Sequence, residues 1–134
     1  MKKILLILLT SCFYSSYAQT NYSFVYNNDL ILKKGVELYE EEKYAEAIKE
    51  FEKISAVDPK FLNAQYEKAL ALSAFKKNDE LKVFFENLYT KNSMSGFPML
   101  YTIYGSFLSN LKEYDKAEVI FKEGEKHLSN SSNF

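Results

Sequence analysis

Apolar side chains recur at every third or fourth position from about residue 29 onward, which is the spacing of amphipathic α-helices. Polar or helix-breaking residues interrupt this pattern five times, so it divides into six predicted helices. The second should stop at Asp58-Pro59, because the residue before a proline disfavours the helical conformation. The six begin near Asp29, Tyr44, Pro59, Asp79 (as N-cap), Pro98 and Tyr114, and the polar run Ser129–Ser132 follows the last.

A set of residue types returns 70 residues later in the same order. Gly35, Leu38, Tyr44, Ala47 and Phe51 recur as Gly105, Leu108, Tyr114, Ala117 and Phe121. A weaker copy lies between them, at Ala69, Leu72, Leu81 and Phe85. Because the interval is about twice the length of a helical-hairpin repeat, the sequence predicts three stacked hairpins. Gly or Ala should let the two helices of a hairpin approach closely, and the phenylalanines should fill the space between neighbouring hairpins.

These positions resemble the tetratricopeptide repeat (TPR), a helix–turn–helix unit of about 34 residues with the pattern W-x2-L-G-x2-Y, A-x3-F and P. The first copy matches at Gly35, Leu38, Ala47, Phe51 and Pro59, with Ile31 in place of the tryptophan, and the third matches at Tyr101, Tyr104, Gly105, Leu108, Tyr114, Ala117 and Phe121. The middle copy departs from it at Lys68, Asn78, Leu81 and Ser93. Lys34 also replaces a leucine of the pattern, and Ser129 its proline.

The resemblance implies an all-α fold, an α-α superhelix (solenoid) of three TPR-like hairpins. The repeat domain is expected over residues 29–131, with repeats at about 28–61, 62–96 and 98–131 and a tail at 132–134. Three repeats are close to the minimum for an independent fold, since one hairpin cannot bury its own apolar face. The last repeat has no polar capping helix after it, which leaves open self-association through that repeat or a longer natural chain.

In TPR proteins, ligand peptides bind along the concave face formed by the first helix of each repeat. By repeat position, that face would present Leu32, Val36, Tyr39, Asn63, Tyr66, Leu70, Ser73, Met99, Thr102, Ser106 and Ser109. The subgroup that binds C-terminal carboxylates needs Lys and Asn where this chain has Leu32 and Val36, so that clamp is absent. An apolar and neutral-polar surface favours a helix or an extended peptide held by packing. Packing against the preceding segment 20–28 is the alternative.

The first eighteen residues resemble a bacterial export signal. They combine Lys2 and Lys3, an apolar run at 4–9, and small residues at 16 and 18 before Gln19. The apolar run is shorter than the roughly 20 residues needed to span a bilayer as a helix. We therefore expect a signal peptide at 1–18, a linker at 19–28, and a periplasmic or secreted protein.

Cys12 adds a second interpretation of the N-terminus. Leu9-Thr10-Ser11-Cys12 resembles the lipobox, in which the cysteine is cleaved and lipidated. Lipidation there would anchor the protein to a membrane surface. Cleavage after Ala18 is favoured, because eleven residues before the cysteine make a short lipoprotein leader. A membrane is thus expected as a partner only if Cys12 is lipidated.

Composition excludes several functions. Every basic residue is Lys, and the formal charge of −1 becomes −3 without Lys2 and Lys3, so neither the arginines nor the basic face of nucleic-acid recognition is present. Cys12 is the only cysteine, which rules out a cysteine-ligated zinc site. The single histidine, His127, has only Glu123 within one turn as a catalytic partner and fits a helix C-terminus better. No nucleophile, phosphate-loop or metalloprotease motif occurs.

The sequence therefore predicts an exported scaffold for protein–protein interaction, with no catalytic residue, no metal and no cofactor. Its expected partner is a protein or peptide. Two alternatives stay open: a lipid-anchored component of envelope assembly, and the N-terminal part of a larger TPR protein.

Overall fold

A computed structural model describes residues 27–131, and those residues are helical with no β-strand. The predicted signal peptide, Cys12, most of the predicted linker and the tail at 132–134 lie outside the described residues. The prediction of an all-α fold is confirmed. The helices are α1 (residues 27–40), α2 (Tyr44–Phe51), α3 (Phe61–Ala74), α4 (Asn78–Thr90), α5 (Met99–Asn110) and α6 (Tyr114–Ser131).

The same three-residue turn joins α1 to α2, α3 to α4, and α5 to α6. Its middle residue is left-handed in each case, with φ of 61° at Glu42, 58° at Lys76 and 63° at Lys112. The amide of that residue bonds the carbonyl three positions back, and the next amide bonds the carbonyl five positions back. This is the Schellman motif, which satisfies the free carbonyls at a helix end. None of the three positions is glycine, although glycine adopts a positive φ most easily.

Each second helix begins directly after this turn, without a side-chain cap. The carbonyls of Lys43, Lys77 and Glu113 accept the amides of Ala47, Leu81 and Ala117. The expectation that Asp79 caps α4 is wrong: Lys77 is the N-cap, and Asp79 lies in the first helical turn. The left-handed residue reverses the direction of the chain directly before the N-cap residue, so the helix starts without an additional capping residue. Asp79 can still interact favourably with the helix dipole from that position.

Gly35 and Gly105 allow paired helices to approach closely, as expected, and each faces the phenylalanine of its own partner helix. A Cβ added to Gly35 would lie 2.3 Å from Phe51 Cε1, and one added to Gly105 would lie 2.5 Å from Phe121 Cε1. Phe51 and Phe85 are fully buried at the centres of two hydrophobic clusters. Phe121 differs, because it keeps 37% of its surface exposed and no later helix of the described residues covers it.

The second helix is shorter than predicted, ending at Phe51 rather than near Asp58. The amides of Lys53 and Ile54 then bond the carbonyls three residues earlier, and these turns bring Ile54 into the core. Asp58 has a role besides preceding a proline: its carboxylate accepts the Lys60 amide and, at 2.6 Å, the side-chain amide of buried Asn28. Asn28 lies in α1, because that helix begins at residue 27, before the predicted start at Asp29.

Candidate functional site

The surface predicted from the sequence lies on α1, α3 and α5, and its residues differ in burial. Leu32, Val36 and Tyr39 are half-buried against the cluster around Phe51. Tyr66 and Leu70 are half-buried on α3, where Tyr66 meets the ring of Phe97 edge-on. Met99 is exposed. Ser109 is half-buried, and the other polar members are exposed: Asn63, Ser73, Thr102 and Ser106.

These residues do not line one cavity. Ser73 and Ser106 come together beside Ile103 and Phe107 in a pocket of about 270 Å³. Thr102 lines a different pocket, of about 200 Å³, with Phe121 and Leu128. The predicted face is therefore a shallow surface with small depressions.

A larger groove lies between α2 and α4, with α3 as its floor. It has a volume of about 710 Å³ and opens to solvent. We call it the Lys68 groove, after the lysine that projects into it from α3. Most of its lining surface is apolar, although eight of its fifteen lining residues are polar or charged. The residues are Ile48, Glu52, Ala56, Phe61, Gln65, Lys68, Leu72, Asp79, Glu80, Val83, Phe84, Asn87, Leu88, Lys91 and Ser93.

Two polar side chains of α3 lie in the middle of this groove. The Lys68 ammonium contacts Glu52 Oε1 at 2.6 Å and lies 5.4 Å from the centre of the Phe84 ring. One turn earlier, Gln65 keeps only 8% of its surface exposed. Its side-chain amide has no hydrogen-bond partner among residues 27–131. Every side-chain nitrogen or oxygen that is fully enclosed in these residues has a hydrogen-bond partner. Because the Gln65 amide has none, it is not fully enclosed, and its exposed part faces the groove.

A second groove occupies the equivalent place one unit later, between α4 and α6 over α5. Leu108, Asp115, Val119 and Ile120 line it 36 positions after Leu72, Asp79, Val83 and Phe84. Tyr104 takes the place of Lys68, so we call it the Tyr104 groove. Its volume is only about 310 Å³. Tyr104 fills the missing space, because its ring stacks on Phe85 with centroids 4.7 Å apart.

Ion pairs connect neighbouring helices around the grooves. Glu50 of α2 contacts Lys53 at 2.7 Å and Lys34 of α1 at 2.9 Å, and these two ammonium groups lower the pKa of its carboxyl. Glu113 contacts Lys116 and, at 3.2 Å, Lys82 of α4, and its pKa is lowered for the same reason. Burial has the opposite effect on half-buried Glu67, whose pKa it raises. These shifts accompany helix packing and do not define a reactive centre.

The histidine lies in a packed environment. His127 stacks on Tyr101 with ring centroids 5.3 Å apart, and its Nε2 lies 3.8 Å from Glu123. Within residues 27–131, no group of three or more histidine, cysteine or acidic side chains could hold a metal ion. No helix of the same stretch is both long and apolar enough to cross a bilayer.

Comparison with known proteins gives no relative. No protein-family model, no curated protein and no solved structure matches this chain.

Sequence reasoning missed the Lys68 groove. Lys68 was recognised only as a departure from the repeat pattern, and Gln65 was not singled out. The available signal was the contrast between Lys68 and Tyr104 at the same repeat position. A charged residue where the neighbouring unit has an aromatic one indicates that the space between two units is not filled.

Proposed function

We propose that this chain is an exported, TPR-like scaffold that binds a segment of a partner protein and catalyses no reaction. Three observations support the TPR-like assignment: the three turns with the same left-handed residue, the close Gly–Phe approach in the first and third units, and the interval between equivalent positions. An arrangement of stacked hairpins provides extended surface for binding. A fold alone does not define a function, so the proposed binding function depends on a specific surface of the chain.

The Lys68 groove is the observation that carries the proposal. Its volume of about 710 Å³ falls within the range of roughly 300–1,000 Å³ that is typical of ligand sites. Most of its lining surface is apolar, and Gln65, Lys68 and Glu52 converge at the centre among further polar side chains. An apolar site with converging polar groups is also typical of ligand sites. The face of α1, α3 and α5 is the second candidate surface, and one experiment can compare the two.

The export part of the proposal rests on residues outside those described. Two forms of the mature protein are proposed: a soluble one beginning at Gln19, and one anchored through Cys12 to a membrane surface. Mass spectrometry of the mature N-terminus distinguishes them, because a lipidated cysteine adds the mass of its acyl chains. An unprocessed N-terminus would contradict export in either form.

A crosslinking pulldown with matched variants tests the binding function. Val83 lines the Lys68 groove and Val119 lines the Tyr104 groove, and both are 57% exposed. Val83→Asp should abolish capture of specific partners, because it places a charge on the apolar wall, whereas Val119→Asp should leave capture unchanged. Tyr66→Ala with Leu70→Ala tests the surface of α1, α3 and α5. If every variant captures the same proteins as the wild type, neither surface is the binding site.

A further inference from the structure

The Gln65 amide indicates which kind of segment fits the Lys68 groove. A primary amide carries both a donor and an acceptor, and a buried one gains most when both are paired. Gln65 is more than nine-tenths buried, faces the groove and pairs with nothing in the described part of the chain. A complementary ligand therefore offers one acceptor and one donor side by side.

A peptide in an extended conformation offers that pair, and a helix does not. The backbone amides and carbonyls of a helix bond one another, so a docked helix presents side chains only. An extended strand has free N–H and C=O groups, which give affinity independent of sequence, while its alternate side chains enter pockets. We propose that the Lys68 groove binds an extended peptide whose backbone pairs with the side-chain amide of Gln65. This inference rests on the proposed binding function and names the ligand of that site.

The dimensions of the groove limit the length of the peptide. The groove follows α4 from Asp79 to Lys91, a span of about 18 Å at the helical rise of about 1.5 Å per residue. An extended chain covers that distance with about five or six residues. Alternate side chains would contact Phe61, Leu72 and Leu88 of the apolar lining.

The charges around the groove specify the ligand further. At its centre, Lys68 and Glu52 neutralise each other, and an ionised ligand side chain there would have to break their 2.6 Å contact. At one end, Asp79 forms no ion pair within the described residues, whereas the neighbouring Glu80 contacts Lys77 at 3.1 Å. At the other end, Lys91 forms no ion pair within the described residues. The favoured peptide is thus uncharged in the middle, with a basic residue at the first end and an acidic group at the second.

Selection from a library of random heptapeptides on the full chain provides the probe. Enriched sequences should be uncharged and apolar at alternate central positions. As synthetic peptides, they should bind Val119→Asp like the wild type and fail to bind Val83→Asp. Gln65→Leu should weaken them by roughly tenfold, the value of one or two hydrogen bonds. Circular dichroism should show the variants folded and no helix gained on binding.

A backbone readout separates the amide contact from simple packing. N-methylation of the peptide residue opposite Gln65 should weaken binding to the wild type but add no further loss on Gln65→Leu. Equal binding to Gln65→Leu and the wild type would overturn the role of the amide, and helical peptides would overturn the extended ligand; in both cases the binding function would stand. Failure to enrich any peptide that depends on Val83 would overturn the proposal and also the groove as the binding site.

Discussion

The two grooves have the same construction but different contents, and Lys68 and Tyr104 are one clear difference between them. The two grooves share three pairs of identical lining residues that are 36 positions apart: Leu72 and Leu108, Asp79 and Asp115, and Val83 and Val119. Where the first groove has Lys68, the second has Tyr104, whose ring covers Phe85 and leaves less than half the volume. Stability and binding thus make opposite demands on this position. An aromatic ring completes the packing between two units, and a lysine held aside by Glu52 leaves the space open.

The largest effect is expected from removing the ring beneath Tyr104. Phe85→Ala should lower the free energy of unfolding by about 3–5 kcal/mol, because Phe85 is fully buried and the cavity left behind cannot collapse. Phe121→Ala is the matched variant one unit later and should cost about 1–2 kcal/mol, since that ring is partly exposed. Urea unfolding measures both. Equal losses would mean that Phe121 is covered in solution, which would support self-association through the last unit.

Exchanging Lys68 and Tyr104 should exchange the relative volumes of the two grooves. Tyr104→Lys should lose about 2–4 kcal/mol of stability, because the stack on Phe85 disappears and a cavity opens. Lys68→Tyr should lose less, since it removes one ion pair to half-exposed Glu52 and supplies a ring in its place, and should close its groove. Binding of the dye 1-anilinonaphthalene-8-sulfonate to the folded chain should rise in the first variant and fall in the second. Unchanged dye binding in both would show that this position does not control the groove volume.

Acid should weaken the connection between α1 and α2. Because the pKa of Glu50 is lowered in the folded chain, its contribution to stability is present above its unfolded pKa of about 4.3 and is lost as the pH falls through the folded value. Glu67 has the opposite sign: its raised pKa makes protonation at low pH favourable to folding. Glu50→Gln should therefore flatten the loss of stability below about pH 5, and Glu67→Gln should steepen it. Urea unfolding at a series of pH values checks the two slopes, and parallel slopes for all three proteins would contradict both assignments.

The smallest effect is expected at two equivalent turns, one before α4 at the Lys68 groove and one before α6 at the Tyr104 groove. Lys76→Gly and Lys112→Gly should each raise stability by about 0.5–1 kcal/mol, because glycine adopts the left-handed conformation without strain. Lys116→Gly is the control within α6, where glycine should be destabilising by about 1 kcal/mol. Thermal unfolding measures all three. If glycine destabilises the turns as well, the lysine side chains make contacts there that outweigh the backbone strain.

The repeat pattern allowed the helices to be predicted because it depends on local spacing. The three- to four-residue period located six helices, and residue size predicted the close approach of paired helices at Gly35 and Gly105. Their contacts with Phe51 and Phe121 were not predicted, because those rings were expected between neighbouring hairpins. The end of α2 was mispredicted, since the turns after Phe51 depend on Ile54 reaching a core that other helices build. The contrast between Lys68 and Tyr104 indicates unfilled space, but the shape of the Lys68 groove could not be predicted, for a related reason. Whether Gln65 is buried or exposed depends on the distance between α2 and α4, which are far apart in the chain.

The equal length and dihedral angles of the three turns have a consequence for engineering. A segment bounded by two such joints can be exchanged for its counterpart without redesigning either junction, because the incoming chain leaves and enters with the same backbone geometry. Replacing the α2–α3 segment with the α4–α5 segment would then alter the chemistry of a cleft while the turns on either side stay unchanged. The molecule is in this sense a set of interchangeable cassettes, and new specificities could be assembled from its own parts.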